Sequence, residues 1–307
     1  MPSILSFSHY VPERVLTNND LARSLDIDPD WILQASGIEA RRIAGEAENI
    51  VDLAVQAAQP CLSRHKPGLL LAASGSSTRR FPGPAAEIAH RLGLGPIPAI
   101  DLPHASTGSL IAMSLAAKLT EAHGPVLVVA AEKMSAPAQT DKSTAILFGD
   151  GAGACLIAPE SASDSRGLEI VDFALHSDGA HTEALHLDLT GPLRMSGMAV
   201  IRHATRRLPE AIMEVLARNN TRAQGVAAYI MHQANQNLID RVARAIDAPA
   251  ERFYSNVRRY GNTSSASMLI AASEWHEQMH LTRGDTVCFA AFGAGFHWGA
   301  LLARVRT

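Results

Sequence analysis

Two stretches decide how this chain is read: residues 98–132, PAIDLPHASTGSLIAMSLAAKLTEAHGPVLVVAAE, and residues 253–292, FYSNVRRYGNTSSASMLIAASEWHEQMHLTRGDTVCFAAF. Each runs from a strand-like lead-in through a small polar cluster into a helix rich in Ala, Ser and Leu, then through a turn with Gly into a second apolar strand. The first cluster is His104-Ala105-Ser106-Thr107-Gly108, with its helix continuing through Met113 and Leu119. The second is Gly261-Asn262-Thr263-Ser264-Ser265, with its helix over residues 268–275. Both helices are apolar nearly all the way round at their starts, which predicts burial in a central layer. Two stacked copies of one α/β unit account for the echo.

Outward from these stretches, short apolar runs such as 69–73 and 227–231 alternate with helical patterns, the signature of an α/β protein. The polar run Glu160-Ser161-Ala162-Ser163-Asp164-Ser165 reads as the connection between halves, giving units over 1–160 and 161–307. A chain of 307 residues with 47% hydrophobic and 19% charged residues buries a sizeable core and does not stay unfolded. Its net charge of -3 provides no positive field for a phosphate backbone, so nucleic acid is not expected as a partner. Cys61, Cys155 and Cys288 are far apart and lack CxxC spacing, arguing against disulfides and zinc and for a reducing cytoplasm. The start has no basic, apolar export pattern and no window is long and apolar enough for a membrane span, so neither export nor a membrane location is expected.

Three residues could carry chemistry. Ser106 sits where a strand gives way to a buried helix, at the positive end of the helix dipole; the same position suits an ordinary N-cap. His232 opens His232-Gln233-Ala234-Asn235 at the C-terminal end of a strand, where α/β folds collect ligands and where structural histidines also occur. Asn262 offers an amide at the start of the second echo helix, although Gly-Asn is also a common turn.

Together they resemble the β-ketoacyl-(acyl carrier protein) synthase III enzymes of the thiolase superfamily. The resemblance runs nearly end to end. It rests on Asp30-Trp31-Ile32 with Gly37-Ile38, Phe81-Pro82, Phe148-Gly149-Asp150-Gly151-Ala152-Gly153-Ala154, His232-Gln233-Ala234-Asn235, Gly261-Asn262-Thr263-Ser264 and Phe292-Gly293-Ala294-Gly295-Phe296-His297-Trp298-Gly299. It implies a thiolase-like α/β fold of two duplicated halves in α-β-α-β-α layers. It also implies a catalytic set of a cysteine, a histidine and an asparagine, which fall on Ser106, His232 and Asn262, and an oxyanion hole from the N–H groups of Ser106 and Ala294. The implied activity is acyl transfer from a thioester to the nucleophile, followed by decarboxylative condensation with a malonyl thioester in fatty-acid or polyketide-type biosynthesis.

Serine in place of the family's cysteine changes the chemistry. An alkanol needs a base within hydrogen-bond reach, and His232 is the one the motif supplies. A serine ester is also a less activated donor to carbon than a thioester. The alternatives left open are transfer to an oxygen or nitrogen acceptor, thioester hydrolysis, or a silent subunit paired with an active ketosynthase.

The resemblance places Trp31 and Lys142 at the coenzyme A adenine, with Lys142 and Ala35 standing where the family has arginines, so coenzyme A should bind weakly and a carrier-protein donor is favoured. Arg202 with Arg206, and Arg241 with Arg244, share helix faces and are candidate docking residues for an acidic carrier protein; solvated faces are the alternative. Phe81 matches a residue that reaches into a partner's acyl pocket, implying a homodimer or a heterodimer with a related ketosynthase. No bound cofactor is expected beyond acyl thioesters of carrier protein or coenzyme A as substrates. Two further patterns are discounted: Gly149-Asp150-Gly151-Ala152-Gly153 lacks the helix a phosphate loop needs, and the five-residue spacing of His176, His181 and His186 suits no metal face, so no metal is expected.

Overall fold

The computed structural model describes residues 1–306 apart from 63–64, 139–140, 163–166 and 279–280. Ten strands form its main sheet: β1 (Ser3–Tyr10), β2 (Leu69–Ala73), β3 (Ala99–Leu102), β4 (Val126–Lys133), β5 (Asp150–Ala158), β6 (Leu168–Ser177), β7 (Ala228–Met231), β8 (Phe253–Tyr254), β9 (Thr286–Gly293) and β10 (His297–Val305). Their order is β8-β7-β9-β10-β6-β1-β5-β4-β2-β3. Each half repeats one pattern. β2 is parallel to β3 and β4, as β7 is to β8 and β9, and the returning strands β5 and β10 are antiparallel to β4 and β9. The halves meet where β1 pairs antiparallel with β6 through Ser3↔Glu169 and Ile4↔Leu168.

Period-two alternation sorts the strands' side chains into layers. Leu69, Leu71 and Ala73 of β2, Val126, Val128 and Ala130 of β4, and Val287, Phe289 and Ala291 of β9 join one central core. Also in it are helices α1 (Gly108–His123) and α2 (Ser267–Gln278), the two echo helices. The alternate residues, Leu70, Leu127 and Val129 on one side and Tyr229, Cys288 and Ala290 on the other, line two outer cores. Strands covered on both faces carry no polar face, which is why they read as continuous apolar runs. Residues 267–275 of α2 are all buried, so the helix that looked apolar on every side is enclosed on every side. The polar connection expected around 159–166 lies partly outside the described residues.

Candidate active site

The central helices bring their first turns together. Ser106 lies two residues ahead of α1 with φ +65°, a left-handed backbone that is costly for a residue with a Cβ and persists only where its surroundings hold it. Its environment leaves little choice. A Cβ on Gly293, at the end of β9, would lie 2.5 Å from the Ala105 carbonyl oxygen and 2.8 Å from Ser106 Cβ, so only glycine lets strand and elbow approach this closely. In the second echo the left-handed residue is Ser264, φ +48°, two residues past the Asn262 that sequence alone put opposite Ser106. Ser264 Oγ accepts the Ser106 N–H at 3.0 Å, joining the two elbows directly.

Beneath them lies Glu132, a fully buried carboxyl at the end of β4. It accepts the Ser265 hydroxyl at 2.6 Å, the Ser76 hydroxyl at 2.5 Å and the Gly75 N–H at 3.0 Å, and burial raises its pKa. Nothing in the sequence singled it out, because its partners come from two segments far from it in the chain, 74–76 and Ser265.

Asn262 Oδ1 accepts the Ser264 N–H at 2.9 Å, which leaves its Nδ2 as the free donor. His232, at the exit of β7, has Nδ1 2.6 Å from Ser267 Oγ, and that oxygen already accepts the Gln233 N–H at 3.0 Å. Where the buried Ser267 hydroxyl donates to Nδ1, the imidazole proton lies on Nε2. Burial holds this imidazole neutral, its pKa pushed down to about 4. In that tautomer Nε2 is a donor, while the sequence reading gives His232 the work of a base. Hydrogen bonds thus tie Ser106 and Asn262 to Ser264, and His232 to Ser267 three residues further along.

The Ala294 amide follows Gly293 in the tight turn between β9 and β10, beside Ser106. All three cysteines are buried and free at other places, in β5, β9 and near Ser8, and burial raises their pKa values. None can act as the nucleophile here.

Trp31 and Phe81 are exposed, at 49% and 79% of their surfaces, and Lys142 is exposed at the start of a one-turn helix. Arg202 and Arg206 lie on the exposed face of α3 (Gly197–Arg218), and Arg241 and Arg244 on α4 (Gln236–Ala245). Arg206 is already paired with Glu210 at 2.9 Å. Ala35, where the resemblance implies an arginine at the coenzyme A entrance, meets Asn237, where it implies a basic residue for carrier-protein docking; Asn237 Nδ2 donates to the Ala35 carbonyl at 2.9 Å. A cavity of about 710 Å³ opens near Ser76, Pro103, Lys133, Leu187 and Leu189, and the three catalytic candidates are not in its wall.

The histidines at five-residue spacing go separate ways. His176 bonds Glu214 at 2.7 Å, His181 packs on His203 and Phe296, and His186 meets the Glu183 carbonyl. Among the described residues no group of three or more potential ligands is placed to hold a metal ion. The glycine-rich run at 149–153 leads into β5, and the Asp150 carboxylate accepts N–H groups of Ala44 and Ser135.

A five-layer duplicated α/β body with its reactive elbows at the centre defines a thiolase-like protein. Residues 100–179 match the family model of 3-oxoacyl-(acyl carrier protein) synthase III, and residues 216–305 match that of its C-terminal part. The chain is 35% identical to the β-ketoacyl-(acyl carrier protein) synthase III of Rhodospirillum centenum, over 98% of both chains. It is likewise 35% identical to that of Aquifex aeolicus, again over 98% of both. The crystal structure of the Aquifex aeolicus synthase superposes with a TM-score of 0.93 at 34% identity, covering 99% of this chain and 100% of that one. The priming β-ketosynthase of the R1128 polyketide pathway superposes at 0.91 with 28% identity, covering 100% and 96%. The chain belongs to the 3-oxoacyl-(acyl carrier protein) synthase III family, a family of acyltransferase-class condensing enzymes. Among the described residues no helix is long and apolar enough to cross a membrane.

Proposed function

We propose that the protein takes an acyl group from an acyl thioester onto Ser106 and joins it to a malonyl thioester with loss of carbon dioxide, in fatty-acid or polyketide-type biosynthesis. The observation that carries this is the elbow itself: a serine held left-handed at the foot of a buried helix, hydrogen-bonded to the cluster that contains His232 and Asn262. Loss of carbon dioxide from the malonyl unit leaves an enolate, whose oxygen meets two donors, His232 Nε2–H and Asn262 Nδ2. The enolate carbon attacks the ester carbonyl on Ser106, the new carbon–carbon bond forms, the ester C–O bond breaks and Ser106 Oγ regains a proton. The acyl oxygen is held by the Ser106 and Ala294 N–H groups, the first displacing its bond to Ser264.

An acyl carrier protein is the donor in this reading. Lys142 and Ala35 leave the Trp31 entrance with weak purchase on coenzyme A, while Arg202, Arg241 and Arg244 remain exposed for an acidic partner even though a further basic docking position has become Asn237. The working unit is a dimer, formed through Phe81 and the open edge strand β3 with its exposed Ile100. Three buried free thiols suit a cytoplasmic setting, and the boundary between the halves falls at 160/161. The test is intact-mass spectrometry of enzyme exposed to acyl-carrier protein, then addition of malonyl-carrier protein. A mass gain lost in Ser106→Ala, followed by a β-keto product with carbon dioxide, is expected. Carbon dioxide without product, or no mass gain, overturns the reading.

A further inference from the structure

Acylation of Ser106 needs a proton acceptor, and with Ser267 donating to its Nδ1 the His232 imidazole presents a donor instead. Two other imidazoles stand at the elbow. His104 is two residues before Ser106, and its ring meets that of His297 edge-on with centroids 4.8 Å apart. His297 opens β10 directly across the hairpin from Gly293. Residues directly opposite in an antiparallel pair project from the same face, and a Cβ on Gly293 would point at Ser106. The His297 side chain thus leaves the sheet on the face that holds the serine. Its Nε2 lies over the turn that carries the Ala294 amide: a Cβ on Gly295 would be 2.5 Å from that nitrogen.

The hydroxyl on the far side of the ring sets the tautomer. His297 Nδ1 is 2.7 Å from Ser177 Oγ. Ser177 is exposed, and with its oxygen accepting Nδ1–H the Nε2 of His297 is a lone pair. This is the reverse of the His232 arrangement in which buried Ser267 donates to Nδ1. Burial also lowers the pKa of His297, and burial together with the neighbouring His297 lowers that of His104, so neither ring is charged at neutral pH. Two hydroxyl–imidazole pairs thus flank the serine, one presenting N–H and the other a lone pair.

We propose that His297, oriented by Ser177 and packed against His104, is the base that takes the Ser106 proton during acyl loading. The inference rests on the reading that Ser106 is the acylated residue. In the step, the Ser106 O–H proton passes to His297 Nε2 as Oγ attacks the thioester carbonyl. The carbonyl carbon gains a C–O bond, the C–S bond breaks, and the leaving thiolate takes the proton from the imidazolium. Nothing is oxidised or reduced, and His297 returns to its neutral form. His232 and Asn262 are reserved for the enolate.

The probe is p-nitrophenyl acetate, whose nitrophenolate burst reports acylation without a carrier protein, with intact mass confirming one acetyl per chain. His297→Gln should slow the burst by about 10² to 10⁴-fold, the range for a lost general base, while His232→Gln should slow it by less than about tenfold. A thiol at this helix start ionises with far less help, so in a Ser106→Cys background His297→Gln should cost less than about tenfold. Added imidazole should restore the burst to His297→Ala. Equal losses from His297→Gln in the serine and cysteine backgrounds would mean a structural role and overturn the proposal, as would a wild-type burst in His297→Gln. A burst that survives in Ser106→Ala, or is missing from the wild type, overturns the acyl-serine reading and takes this assignment with it. That failure is seen before any histidine is changed.

Discussion

An alkanol at the foot of a helix gains some acidity from the local field, but far less than a thiol does, so the identity of residue 106 should set the rate of loading. Ser106→Ala should abolish the acyl mass gain, and Ser106→Cys should load faster than the wild type, both read by intact mass against time. The residue scale also predicts a pH effect on stability. Folded His232 takes a proton only near pH 4, whereas the unfolded imidazole does so near 6.5. Between those values the unfolded chain holds more protons, and stability falls as the pH falls. His104 and His297 act in the same direction, and buried Glu132 and Asp150, with raised pKa values, act in the opposite one. The wild-type difference is what isolates His232: urea midpoints of His232→Gln should decline less steeply over that window. A slope unchanged by the substitution would contradict the burial argument. Ser106, His232 and Asn262 could be singled out from sequence because each sits at a break in a periodic pattern. His104 and His297 could not, since 193 positions separate them and the hairpin register alone sets them ring to ring.

At the scale of elements, the two central helices were legible because a helix enclosed on every side has no polar stripe to hide its burial. Leu110 is fully buried on α1 within the core shared by both halves. Leu110→Ala should therefore cost about 2 to 5 kcal/mol, read as a lower denaturant midpoint with an unchanged slope. The helices proposed to meet the carrier protein are a different matter, because an exposed charged face looks alike in sequence whether or not it meets a partner. The structure separates their arginines: Arg206 is engaged by Glu210, and Arg244 has no ion pair among the described residues. Arg202→Glu and Arg244→Glu should slow association with acyl carrier protein, with the loss shrinking as salt rises, and Arg206→Glu should matter less. Stopped-flow association rates across a salt series check the ranking. A ranking with Arg206 first would place the partner elsewhere.

For the whole molecule, the internal echo made the duplication legible, since two copies under the same packing demands keep the same order of strand, cluster and helix. It could not give the strand order, in which β1 lies between β5 and β6. The edge strand β3 carries Ile100 outward at 45% exposure, and the dimer reading makes that edge the meeting line of two copies. Ile100→Lys should move the sedimentation coefficient from dimer to monomer. A monomeric wild type would remove the dimer from the reading.

The place of β1 has a consequence for how the chain is made. Its first residues pair with Ala158 and Ile157 on one side and with Glu169 and Leu168 on the other. On a ribosome, residues 3 and 4 have neither neighbour until the chain as far as residues 157–158 and 168–169 has followed them. Contacts this distant in sequence carry a large closure entropy and form slowly. A nascent strand with both edges bare is open to wrong partners throughout that wait, so the demand for a holding chaperone should be greatest before residue 169 clears the exit tunnel.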